Sequence, residues 1–281
     1  MLASLLALLA SSSWGTSDFF AGVETRRSSA WGVAVVGQLV AALGSLVLAS
    51  ALAPAPPGAG TIAVLVAGGA SSAVGVIAGY RALAVTKMSV VAPILGGAAV
   101  VPVLWGIAGG ERPGSLQAVG VVAAVLGVVL ISRGDSRATT GERAVNRTGV
   151  LLAVFAALGA GGMLVALDGA ATGDPYWPVT VVRGAATLCI VAFVIATRPP
   201  LRLRRSAAPL LLLIGGLILV ANASFAIATT HADLSIVGVL GWLGPAVIIV
   251  WARVLLHERL RPLQWVAAGL VLAGVVFLAL A

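Results

Sequence analysis

Few residues in this 281-residue chain could do chemistry, and most of those stand inside long apolar runs. Asp18 is the most unusual. It lies about six residues past the middle of the run 2–22, on the order of 9 Å from the midpoint at helical rise. An acid in such a setting is costly unless paired or wetted, and acids of this kind mark ion or substrate paths. Asp18 is therefore a candidate site for a proton or a cationic substrate. The plainer alternative is a structural pair, with Arg81 or Arg253 as the cation. Arg183 falls about five residues into the run 178–197, in the leaflet opposite Asp18, so the two should not touch directly. Its guanidinium fork suits a carboxylate or phosphate, but snorkelling to the interface or a structural bond is the favoured reading. Trp14 sits near the middle of the first run, as cavity wall or as packing residue. Tyr80 ends the third run, where an interfacial tyrosine is ordinary. Asn222 is a central amide that must find a partner in lipid, either across helices or in a cavity. Trp242 is a further candidate for the lining. Pro245 on the same run, and Pro93 and Pro102 on the fourth, are candidate kinks because proline removes a backbone donor.

Chemistry of bond making is poorly provided for. The two histidines, His231 and His257, stand at expected helix ends, and Cys189 is alone in an apolar run. No nucleophile elbow, zinc-binding motif or phosphate-binding glycine loop occurs, so an enzyme, a resident metal and a cofactor are not expected. Asn146-Arg147-Thr148 and Asn222-Ala223-Ser224 match a glycosylation pattern only by chance, given where they lie.

The elements that must position these residues are set by composition. Sixty per cent of the chain is hydrophobic and only 9% is charged, and the mean hydropathy is +1.12. A soluble domain carries roughly 25% charged residues and could not cover that much apolar side chain. The 35 glycines suit helices packed closely in lipid. The net charge of +8 does not imply nucleic acid, because the positives sit in short loops between apolar runs.

A bilayer core about 30 Å thick needs about 20 apolar residues per helix. Ten such runs can be read: 2–22, 31–53, 61–80, 90–109, 116–132, 149–168, 178–197, 207–230, 235–255 and 263–281. The first has no basic leader and no convincing cleavage site, so it reads as a helix of the mature protein. The odd-numbered loops carry 14 Lys and Arg against one, Arg112, on the other side. This bias puts the odd loops in the cytoplasm and both termini outside.

The chain also resembles itself at an offset of about 147 residues. Glu111 stands against Glu258, Gln117 against Gln264 and Gly127 against Gly274. The reading is a first five-helix repeat over 1–132, a basic linker over 133–148 and a second repeat over 149–281. Five is odd, so the second repeat enters the membrane from the opposite side, as in the inverted repeats of secondary transporters. The expected fold is an all-α integral membrane protein with ten transmembrane helices, a 5+5 inverted repeat around a central cavity. Glu111 and Glu258 read as junction residues that accept from free helix N–H groups or pair with an arginine.

WGTSDFFAG (14–22), YRALAVTKMSVVAPI (80–94) and the two glutamate junctions give the chain a resemblance to the EamA family of the drug/metabolite transporter superfamily. That resemblance implies a secondary transporter of the bacterial inner membrane, often an exporter of amino acids or metabolites, with a cavity between the halves. It also implies cytoplasmic termini, against the charge count. A small amphipathic or zwitterionic solute is the expected substrate, the lipid bilayer a partner and protons a candidate coupling ion. A flippase for a lipid-linked substrate or a structural membrane protein are the alternatives.

Overall fold

The computed structural model describes residues 2–53, 55–110, 112, 114–132, 147–170, 174, 176–229, 231, 240–241, 243–258 and 262–279. These residues form helices and connecting turns, with no strand among them. In chain order the helices are α1 (Leu2–Glu24), α2 (Ala30–Leu52), α3 (Ala59–Val85), α4 (Met88–Gly96), α5 (Val100–Ala108), α6 (Ser115–Ser132), α7 (Arg147–Gly169), α8 (Tyr176–Thr197), α9 (Ala208–Thr229), α10 (Gly244–Leu255) and α11 (Pro262–Ala279). A 3₁₀ turn, Gly97–Ala99, joins α4 and α5 into one rod.

The side chains are distributed inside out relative to a soluble bundle. Up to Ser17 the buried face of α1 is Ala3, Ala7, Ala10, Ser11, Ser13, Gly15 and Ser17, with Phe19 buried beyond them, while Leu2, Leu5, Leu8 and Leu9 are exposed. Leu188 and Ile195 on α8 are 70% and 68% exposed. Small residues inward let backbones approach, and large apolar residues outward meet acyl chains. Six rods among the described residues are long and apolar enough to cross a bilayer: 30–52, 59–85, 88–108, 147–167, 176–197 and 205–225.

Packing between the two halves of the chain sets the architecture. α3 runs antiparallel to α7, with Gly68 beside Ala166 and Gly79 beside Ala156. α1 runs antiparallel to α9: Ala3 and Ala7 cluster with Ala228, and Ser17 Oγ donates to the Ile214 carbonyl at 3.2 Å. α3 runs parallel to α8 and α2 parallel to α9, through Leu65 on Val182, Gly69 on Ala185, Gly37 on Ile214 and Gly44 on Leu219. α2 and α8 are antiparallel. Trp31 stacks on Phe193 with centroids 4.9 Å apart near one end, and Thr180 Oγ1 donates to the Ser45 carbonyl at 3.0 Å near the other.

α6 and α11 pack antiparallel with almost no spacing. A Cβ on Gly127 would fall 2.6 Å from the Ala267 carbonyl oxygen, and one on Gly274 would fall 2.6 Å from that of Gly120. Only glycine fits at such crossings.

Two expectations about helix shape need correction. α3 continues to Val85, so Tyr80 is not at a helix end; it lies a turn and more inside and is only 4% exposed. Arg81 beside it is exposed, so a charge in the sequence marked the membrane edge without stopping the helix. Pro245 marks a break rather than a bend within one helix, since Leu243 is a turn between the helical residues 240–241 and α10. It occupies the first turn of α10, where its missing N–H leaves no gap in the ladder. Pro93 lies within α4 and Pro102 in the first turn of α5, on either side of the 3₁₀ turn. Pro102 cannot donate back to Ala98, and the helix changes pitch there.

Candidate functional site

The candidate site lies where α1, α2, α3, α8 and α9 converge. α1 brings Trp14 and Asp18, one helical turn apart and therefore on one face. Trp14 Nε1 donates to Asn222 Oδ1 at 3.2 Å, and its ring packs on Phe225 with centroids 5.5 Å apart. The same Asn222 oxygen accepts from Arg183 at 3.4 Å, and Gln38 Oε1 accepts from the other terminal nitrogen of Arg183, also at 3.4 Å. The guanidinium is thus held between two neutral amide oxygens in the protein interior. It does not snorkel, because α8 begins at Tyr176 and sets Arg183 two turns inside the helix.

Asp18 completes the arrangement without touching it. Among the described residues its carboxylate has no hydrogen-bond or ion-pair partner. Arg183 is the charge that acts on Asp18, and Asp18 and Arg183 both act on the neutral Tyr80 hydroxyl. Arg81 and Arg253, the partners considered from sequence, are both exposed and take no part. Arg183 and Asp18 do not touch, and the reach of the arginine side chain brings its charge into range of Asp18.

Asn222 is 5% exposed, and its amide nitrogen is buried without a partner among the described residues. Beside it lies a narrow cleft between α2, α8 and α9, lined by Ser45, Tyr176, Thr180 and Asn222. Its volume of about 10 Å³ is the space of a single water.

The structure therefore brings together Trp14, Asp18, Tyr80 and Asn222 and adds Arg183 and Gln38. Gln38 was missed by sequence reasoning, although a lone amide, 2% exposed, in the apolar run of α2 is a signal of the same kind as Asn222. Trp242 lies outside the described residues. Pro93, Pro102 and Pro245 stand apart from this polar group; α4 crosses α10 where Gly96 meets the Pro245 ring, and Pro102 lies beyond on α5.

A second polar assembly closes one end of the bundle. His257 adopts a left-handed conformation (φ 54°), and the Glu258 N–H returns to the Ala252 carbonyl at 3.1 Å, ending α10. The Glu258 carboxylate then accepts from Met88 N at 3.3 Å, Ser89 N at 3.0 Å and Ser89 Oγ at 2.8 Å, and pairs with Arg26 at 3.4 Å. A carboxylate suits the free N–H groups at the start of α4. Its sequence counterpart Glu111 lies outside the described residues.

Residues 147–280 match the EamA-like transporter family. That segment, a little under half of the chain, is similar to the family. The family is part of the drug/metabolite transporter superfamily and makes the chain a multi-pass membrane transport protein. Fourteen chains of known structure also match. One, a crystal structure described only as that of a protein, is 17% identical with a TM-score of 0.65, and the alignment covers 98% of this chain and 95% of the other. At that identity the likeness speaks for the fold alone. No curated protein matches the sequence.

Proposed function

We propose that the transporter is a secondary carrier built as a 5+5 inverted repeat, moving a small zwitterionic metabolite by alternating access. The observation that carries the reading is the pair of opposite interior charges, Asp18 and Arg183, within range but not in contact, placed between helices of both halves. A charge in lipid is costly unless something pairs with it or wets it. A solute with a cationic and an anionic group answers both at once. Its anionic end takes the guanidinium donors left free by Gln38 and Asn222, and its cationic end faces Asp18. Trp14 and Tyr80 supply the aromatic walls. With no solute bound, a proton on Asp18 neutralises the carboxylate alone while Arg183 stays on the Gln38 and Asn222 oxygens, which makes Asp18 the coupling candidate.

The packing supports the inverted repeat. Exchange α1 with α7, α2 with α8, α3 with α9, the α4–α5 rod with α10, and α6 with α11. The α3/α7 contact then becomes α9/α1, and both are antiparallel; α3/α8 becomes α9/α2, and both are parallel. Gly127 meets Ala267 and Val271, while Gly274 meets Gly120 and Ala124, each position standing 147 residues from its counterpart. The rod breaks at Gly97 and α10 begins at Gly244, again 147 apart. α1 leans on the second break through Gly15 and α7 on the first through Gly161. Taken pair by pair, the directions make α1 and α7 run oppositely.

Export from the cytoplasm of a bacterial cell, through its inner membrane, is the direction we assign. Reconstitution into proteoliposomes tests the whole reading. A pH gradient should drive uptake of labelled zwitterionic amino acids, and Asp18→Asn should abolish the gradient-driven component while the protein stays folded. Full gradient-driven flux in a stable Asp18→Asn protein excludes the coupling role.

A further inference from the structure

The segment after α8 lies apart from the interior site and borders a groove of its own. It leaves α8 at Arg198, which is left-handed (φ 48°), reaches an extended Arg204 and is laid against the start of α2. The Arg202 carbonyl accepts from Ser29 N at 2.9 Å, and the Leu203 side chain covers Gly32, where a Cβ would come within 2.7 Å of it. The segment thereby walls a groove of about 350 Å³, whose lining includes Val36 from α2 and Leu211 and Leu212 from α9. Leu212 is 59% exposed and Leu203 38%. Arg204 and Arg205 stand on its rim.

The chemistry of the two parts differs. The floor is aliphatic and continues down the outward faces of α2 and α9 through Leu39, Leu43 and Leu213, all exposed. The rim is cationic. Arg198, Arg202, Arg204 and Arg205 are all exposed, and among the described residues none has a side-chain hydrogen bond or an ion pair. An occupant must therefore carry an anion at the membrane edge and an aliphatic chain directed into the bilayer.

We infer that this groove seats one anionic phospholipid, its phosphate between Arg204 and Arg205 and an acyl chain along Val36, Leu211 and Leu212. Basic pockets between helices at the cytoplasmic edge select such headgroups. A soluble acidic peptide would meet the rim but leave the aliphatic floor uncovered, and a second copy of the chain would bring its own arginines against these.

Native mass spectrometry of the full chain, released from micelles doped with equal phosphatidylglycerol and phosphatidylcholine, tests this. Each arginine near an anionic headgroup is worth about a five-fold gain, so the pair gives about 30-fold preference for phosphatidylglycerol in the wild type. Arg204→Gln/Arg205→Gln should bring the preference close to unity. Arg198→Gln/Arg202→Gln, which removes the same charge from the same segment, should keep most of it. All four positions are exposed, so folding is not at issue. Equal retention of the two lipids by the wild type overturns the proposal. So does equal loss in both double variants, which would mean diffuse attraction to the loop. Inorganic phosphate is added in a separate arm. Displacement of phosphatidylglycerol by millimolar phosphate would show an anion site that does not read the acyl chain, and would overturn the lipid assignment.

Discussion

Asn222 holds the polar interior together, because one oxygen serves two donors. Trp14 reaches it from α1 and Arg183 from α8. A buried donor left without its acceptor costs about 1–3 kcal/mol, and more when the donor is charged. Asn222→Leu strands both at once and should lower thermal stability by about 2–4 kcal/mol. Trp14→Phe removes one donor and keeps the ring on Phe225, so it should cost about 1 kcal/mol or less. In the double variant the losses should not add, because the indole no longer needs an acceptor. Thermal unfolding in detergent across the four proteins measures the coupling, and simple additivity would show that the hydrogen bond carries no weight. The same residues show what sequence can and cannot give. Asp18, Asn222 and Trp14 are legible because a polar or bulky group in an apolar run is improbable without a reason. The direction of Arg183 was not legible, since an arginine near a helix start can snorkel or turn inward according to neighbours from other helices. Gln38 and Asn222, its two anchors, come from helices 145 and 39 residues away.

Helices were easier to place than their ends and contacts. Apolar length fixes each rod, but α3 outruns its expected end at Tyr80 by five residues, because a single exposed Arg81 does not break a helix. The α4–α5 break was visible only as two prolines; the 3₁₀ turn between them needs the glycines at 96 and 97 as well. Glycine spacing predicts close packing and leaves the partner helix unnamed. The structure names it for α6 and α11, and this can be tested within one helix. Gly269 faces open space, whereas Gly274 meets the backbone of α6. Gly269→Ala should be neutral or stabilising by up to about 1 kcal/mol. Gly274→Ala should destabilise by about 1–3 kcal/mol through overpacking, and Gly127→Ala by a similar amount. Equal tolerance at 269 and 274 would contradict the contact. The Glu258 junction gives a second test at this scale. Glu258→Gln keeps the shape but gives up the charge that Arg26 and the α4 N-terminus share, with an expected loss of about 1–3 kcal/mol in thermal unfolding. Arg26→Gln should be milder, since the Glu258 carboxylate keeps its donors from Met88 and Ser89 and Arg26 stays partly solvated.

At the scale of the molecule, orientation is the property on which two lines of reasoning diverge. Helix directions alternate along the chain, so α1, α3, α8 and α10 end at one face, where the Glu258 junction and the arginine-rimmed groove also lie. By the sequence count, the loops expected at that face carry 14 of the Lys and Arg residues and the opposite loops carry Arg112 alone. Short loops rich in arginine stay in the cytoplasm because moving them across an energised membrane is unfavourable. With that face inside, the termini lie outside. The resemblance to the EamA family pulls the other way, towards cytoplasmic termini. Two exposed positions decide it. Gly58 precedes α3 and has open space around its Cα, and Ser206 lies in the turn before α9, at the basic face. In a Cys189→Ala background, Gly58→Cys should react with a membrane-impermeant thiol reagent added to intact cells, and Ser206→Cys should react only after permeabilisation. The reverse pattern would put the arginine groove outside, where fewer anionic headgroups meet it, and would show that 14 positive charges had been translocated against the usual bias. Labelling at both positions in one preparation would mean dual insertion, in which neither the charge count nor the family governs the first helix.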